Sequence, residues 1–196
     1  VLDRSGSMKD PVPKRAVVTG KTPASHVPGD TKLEVAKNQL ARTISKIDKN
    51  VKFAVVFYSH DVAVWRKPPG LMPGEPVNRR DATAWFMRLD PVGSTMTFDA
   101  LAKALEFAKV AGGKSATDPH GADTIFLLSD GAPTDIGGNA ALTGAALEEK
   151  VQEFLKANRA FGCVVHTIGV GPLHNAKFMR RLAAETGGTY KAVGVR

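Results

Sequence analysis

TIFLLSDG, residues 124–131, decides the fold of this chain. From Thr124 to Ser129 the run is apolar almost throughout, as a central parallel strand buried on both faces should be. Ser129-Asp130-Gly131 then marks the point where that strand ends and a loop begins. Working outward, VKFAVVFYS at 51–59, residues 163–168 and residues 189–194 are further β-prone runs. VAVW at 62–65 follows the first of these after only His60-Asp61, so the pair is expected to form an antiparallel hairpin at a sheet edge. Helical spacing recurs between the strands. Thr31-Lys-Leu-Glu34 has the capping-box pattern, and Leu33, Ala36, Leu40, Ile44 and Ile47 follow, predicting a helix near 31–47. Further helices are predicted over 81–89 with Trp85 and Phe86 inward, and over 98–110, 143–158 and 175–186. Gly187-Gly188 should end the last of them. Strands alternating with helices argue for an α/β protein, a mostly parallel sheet with helices on both faces.

The composition is that of an ordinary globular protein, with 43% hydrophobic and 23% charged residues among 196. That length suits one domain. Val1 and Leu2 alone precede Asp3 in what should be a buried strand, which creates the expectation that the first strand is truncated and the chain belongs to a longer polypeptide. No apolar run approaches the ~20 residues of a membrane span. Cys163 is the single cysteine, excludes an internal disulfide and is expected to be a small buried strand residue. The formal charge of +8 comes from Lys and Arg that are dispersed, in nothing longer than pairs such as Lys14-Arg15 and Arg79-Arg80. A surface of that kind favours acidic partners over nucleic acid.

Five oxygen-bearing residues in three segments carry the chemistry: Asp3, Ser5 and Ser7 in VLDRSGSM, Thr95 in GSTMT, and Asp130 in FLLSDGAPTD. Two carboxylates and three hydroxyls without His or Cys make a ligand set for a hard divalent cation, Mg²⁺ before Ca²⁺ or Mn²⁺. The i, i+2, i+4 spacing of Asp3, Ser5 and Ser7 lets one tight loop aim three oxygens at a point. Each residue also has a plainer reading. Ser5 and Ser7 suit a helix cap, Thr95 or Thr97 a cap for the helix at 98, and Asp130 a brace for the turn before Gly131. Asp10, Asp99 and Asp135 lie near the same loops and are read as solvated loop or helix-start carboxylates, and His166 as a strand residue.

D-R-S-G-S at 3–7, G-S-T-M-T at 93–97 and S-D-G at 129–131 resemble, in order, the three metal-site loops of the von Willebrand factor type A domain. HTIGVG at 166–171 and GGTYKAVGV at 187–195 extend the resemblance nearly end to end. It implies an open, doubly wound six-stranded sheet of order 3-2-1-4-5-6 with one antiparallel edge strand. It also implies a metal-ion-dependent adhesion site in which Ser5, Ser7 and Thr95 bind the ion directly while Asp3 and Asp130 often act through water. Neutral hydroxyls quench little of the 2+ charge, so the expected newcomer is an anionic oxygen. The expected function is a noncatalytic, cation-dependent protein-binding module that captures an Asp or Glu carboxylate, in trans or within the parent chain. The alternatives are a metal-dependent hydrolase, for which no general base stands out, and a scaffold with a vestigial metal site that binds through its basic surface. The segment from Met8 to Asp30 is longer than the loop usual in that family. Its V-V-T-G-K-T at 17–22 lacks the glycine that a phosphate-binding loop needs, Arg15 standing in that place.

Overall fold

The computed structural model describes residues 1–12, 29–66, 69–108, 121–135 and 140–194. Its main sheet has six strands. They are β1 (Leu2–Asp3), β3 (Val56–Tyr58), β4 (Val62–Val64), β6 (Thr124–Ser129), β7 (Val164–Val170) and β8 (Tyr190–Val193), in the spatial order β4-β3-β1-β6-β7-β8. Every pairing is parallel except that of β3 with β4. Counted within this sheet, the order is the expected 3-2-1-4-5-6 with an antiparallel edge.

Alternate strand residues feed two cores, because successive side chains leave a strand on opposite faces. Phe57, Leu128 and Ile168 pack with α1 (Lys32–Ser45) and α2 (Pro76–Met87) on one face. Val56, Tyr58, Leu127 and Val165 pack on the other with α3 (Thr97–Glu106), α4 (Gly144–Asn158) and α5 (Ala176–Glu185). Helix α1 starts where the capping box places it. The Thr31 hydroxyl accepts from the Glu34 amide at 3.2 Å, and the Glu34 carboxylate accepts from the Thr31 amide at 3.0 Å.

Three expectations need correction. The 51–59 run is not one strand: β2 (Lys52–Phe53) leaves the main sheet and pairs antiparallel with β5 (Met72–Pro73). Residues 66–80, whose four prolines and two glycines read as an exposed connection, therefore contain β5 and the start of α2. Helix α2 also begins at Pro76 rather than near 81, since proline at the first helical position has a pre-set φ and no amide to leave unpaired. Within β6, Thr124 and Phe126 are exposed, Phe126 by 40%, although the run was expected to be buried on both faces. The reason lies in the register. β1 pairs with β6 only at Leu2↔Leu128, with Val1 N donating to Phe126 O at 2.7 Å, so among the described residues Thr124 and Ile125 have no ladder neighbour on that side. Phe126 stacks instead on the His166 ring at 5.0 Å. The V-V-T-G-K-T segment at 17–22 lies outside the described residues, as does most of the polar segment 111–122, whose sequence reads as a surface loop.

Candidate metal centre

β1 and β6 are adjacent parallel strands, and the loops after them open at the same sheet edge. That is the point where winding reverses, the usual crevice of an open α/β sheet. Register puts Asp3, the last residue of β1, beside Ser129, the last of β6. The Ser129 hydroxyl donates to Asp3 Oδ2 at 2.6 Å, and the Ser5 amide donates to Asp3 Oδ1 at 2.8 Å. The first and third loops meet directly. The Ser7 hydroxyl donates to Asp130 Oδ1 at 2.9 Å, and Ser5 Oγ lies 3.2 Å from Ser7 Oγ. Asp3, Ser5 and Asp130 are buried, whereas Ser7 is exposed at the mouth.

The second loop is held against both others. The Gly6 amide donates to Gly93 O at 2.8 Å, joining it to the first loop. Gly93 has φ +71°, and a Cβ there would strike the His60 ring, so glycine is required at that position. On the other side the Thr95 amide donates to the Thr134 hydroxyl at 3.1 Å and the Thr134 amide to Thr95 O at 2.9 Å, tying Thr95 to the third loop. Thr95 is buried between the two loops, with its backbone fixed.

The capping alternatives are not realised. Ser5 stands before the short 3₁₀ turn Gly6–Lys9 without a side-chain cap bond. The residue preceding α3 is Met96, also without one. The oxygens of Asp130 go to Ser7 and to a lysine rather than bracing the turn, and the Gly131 amide leans on the Ser129 hydroxyl at 3.4 Å. Asp3, Ser5, Ser7 and Asp130 therefore form one hydrogen-bonded cluster at the strand ends. Among the described residues no three His, Cys, Asp or Glu side chains gather to hold a metal.

Sequence reasoning missed the lysine. Lys32, the first residue of α1, donates through Nζ to Asp130 Oδ2 at 2.7 Å and to Asp10 Oδ2 at 3.1 Å. Its side chain is 10% exposed, that of Asp130 1% and that of Asp10 51%. Asp10 is thus the exposed loop carboxylate expected and, in addition, an ion-pair partner of Lys32. The chain brings it there by closing the base of the long first loop. The Lys32 amide donates to Asp10 O and the Val12 amide to Asp30 O, each at 3.0 Å, and Pro11 bridges Thr31. The only advance signal was the capping box, which fixes Lys32 at the helix start but not the direction of its side chain.

Burial pushes the Asp3 carboxyl up to about 6; hydrogen bonds from Ser129 and Ser5 oppose this, and the neighbouring Asp130 charge adds to it. Burial also works against the charge of Lys32, but Asp130 and Asp10 outweigh it and hold the ammonium above the ordinary lysine value. The Tyr58 phenol, buried beside Asp3, is raised well above its usual range, first by burial and then by that carboxylate. It acts as a neutral wall, 3.4 Å from Thr97 Oγ1. Cys163 is buried, as expected. The His166 ring engages Thr189 at 2.9 Å. A separate apolar cavity of about 720 Å³, lined by Val1, Ile44, Phe53 and Phe126, lies towards the opposite end of the sheet, away from these oxygens.

The profile of the von Willebrand factor type A domain matches residues 1–194. Inter-alpha-trypsin inhibitor heavy chain H2 of Sus scrofa is 23% identical over 179 residues, which are 91% of this chain and 18% of that protein. Heavy chain H3 of Bos taurus is 23% identical over 83% of this chain and 17% of its own length. The chain thus spans under a fifth of these relatives. Among solved structures, a von Willebrand factor type A protein from Catenulispora acidiphila superposes with a TM-score of 0.69 at 22% identity, covering 98% of this chain and 37% of the other. A manganese-loaded TRAP protein of Plasmodium vivax gives 0.59 at 15% identity, covering 93% and 60%.

Proposed function

This chain belongs to the von Willebrand factor type A domain family, and on that footing we propose that it is a divalent-cation-dependent binding module for proteins that offer an Asp or Glu carboxylate. The observation that carries the proposal is the 2.9 Å bond between Ser7 and Asp130, which brings oxygens of the first and third loops together at the strand ends. Asp3, Ser5, Ser7, Thr95 and Asp130 would hold the ion. Their donor chemistry fits Mg²⁺, with Mn²⁺ or Ca²⁺ as substitutes: all five donors are oxygens, and only two of them are anionic. The manganese carried by the TRAP relative accords with this choice.

When bound, the ion supplies an electrophilic position for an incoming carboxylate oxygen. The chain's own groups do the rest. Ser129 and the Ser5 amide orient Asp3, and Ser7 orients Asp130. Tyr58, buried and neutral, excludes water from below. The exposed Ser7 marks the open side, where a partner approaches. The net charge of +8 favours acidic partners. We read the site as noncatalytic, because both carboxylates are occupied in orienting bonds and neither is a base free to activate water.

A displayed random-peptide library selected in Mg²⁺ and eluted with EDTA tests this. Recovered peptides should share an Asp or Glu whose replacement by Asn or Gln abolishes binding. Peptides that bind equally in EDTA, or without any acidic residue, would refute it.

A further inference from the structure

Lys32 is the residue that the proposed function leaves unexplained. Its ammonium lies 2.7 Å from Asp130 Oδ2, inside the oxygen cluster and almost shielded from solvent. Nothing in helix formation requires this. A lysine at the first position of a helix sits where positive charge is least favoured, because the amide dipoles there point positive ends outward. The charge is placed against the local preference, and Asp130 is what it meets.

We propose that Lys32 is a built-in competitor for the divalent cation: it neutralises Asp130 in the metal-free protein and sets the cation concentration at which the site fills. Asp10 is the second half of the device. It touches the same ammonium at 3.1 Å, and its side chain is 51% exposed, so it offers the displaced charge a place to rest outside the cluster. The closure of the long loop at Val12–Asp30 and Asp10–Lys32 fixes Asp10 at that distance. The described base of the loop thereby tunes the metal site.

The proposal rests on the cation-binding reading, and the two fail differently. The experiment is calorimetric titration of EDTA-stripped protein with MgCl₂ for the wild type, Lys32→Met and Lys32→Gln, with thermal melts in EDTA and in Mg²⁺. The glutamine variant keeps a donor for Asp130 without the charge and guards against a methionine variant that does not fold. Removing one positive charge within hydrogen-bond reach of a ligand carboxylate should tighten Mg²⁺ binding about tenfold. The same variants should melt earlier than wild type in EDTA and recover in Mg²⁺. Asp10→Asn should weaken Mg²⁺ binding about threefold in the wild type and have little effect with Lys32→Met, because Asp10 acts through the lysine. A silent wild type beside a Mg²⁺-binding Lys32 variant would also support the competitor role. Unchanged or weaker Mg²⁺ affinity in the variants, with equal loss of stability in EDTA and Mg²⁺, would overturn it and leave Lys32 a structural brace. Absence of binding in every folded variant would overturn the cation-binding reading itself.

Discussion

Asp130→Ala tests the charge balance of the cluster before any metal is added. In the metal-free protein Asp130 accepts from Ser7 and pairs with Lys32, which is 10% exposed. Removing one partner of a buried ion pair ordinarily costs about 3–5 kcal/mol, because the other charge is left without compensation. Here Lys32 keeps Asp10 at 3.1 Å, so about 2–3 kcal/mol is the expected loss. For a domain of this size that lowers the melting temperature by about 5–10 °C. The assay is circular dichroism at 222 nm in EDTA, comparing wild type, Asp130→Ala and Asp130→Ala/Lys32→Met. The double variant removes both charges and should recover most of the loss. Millimolar Mg²⁺ should raise the wild-type melt and leave both variants unmoved. A single variant that melts within 1 °C of wild type in EDTA would show that the Lys32–Asp130 pair does not balance the buried charge, refuting the reasoning.

Ser7→Ala removes the donor to Asp130 Oδ1 at an exposed position, so stability should fall by no more than about 1 kcal/mol while Mg²⁺ affinity in calorimetry drops at least about tenfold. Asp3 carries a carboxyl raised from 3.8 to about 6 in the fold, so the folded state holds the extra proton between those values. The Asp3 contribution to stability in EDTA should therefore be greatest below pH 4, decline as pH rises to about 6 and then level off; the difference between the denaturant midpoints of wild type and Asp3→Asn should follow this slope. The same proton competes with the ion, so Mg²⁺ affinity should fall below about pH 6. Thr31→Ala breaks the capping box and should cost about 1 kcal/mol in urea denaturation.

What was legible in the sequence was local. The spacing of Asp3, Ser5 and Ser7 already defines a loop and the apolar run ending at Ser129-Asp130 defines another, while the sheet order that makes them neighbours came from the family resemblance. Capping chemistry was equally readable at Thr31 and Glu34. What was hidden depended on register. Residues 52–58 are β-prone throughout, and nothing in their composition marks where β2 turns away to pair with β5. Phe126 reads as core because an apolar residue does not announce which strand fails to cover it. Pro76 sits in a proline-rich stretch that reads as a connection, although proline as a first helical residue is a usable signal for α2. Lys32 was missed for the same kind of reason. A helical lysine is ordinarily solvated, and only the closure of the loop between Asp10 and Asp30 turns it towards Asp130.

The central claim is that these oxygens bind a divalent cation. The direct test is isothermal titration of the EDTA-stripped wild type with MgCl₂ at pH 7.5, beside Ser7→Ala. Saturable one-site binding in the wild type, weakened or lost in a variant that keeps its circular dichroism, is the predicted result. A folded wild type that takes up neither Mg²⁺ nor Mn²⁺, or a Ser7→Ala variant that binds as well as wild type, would contradict the account.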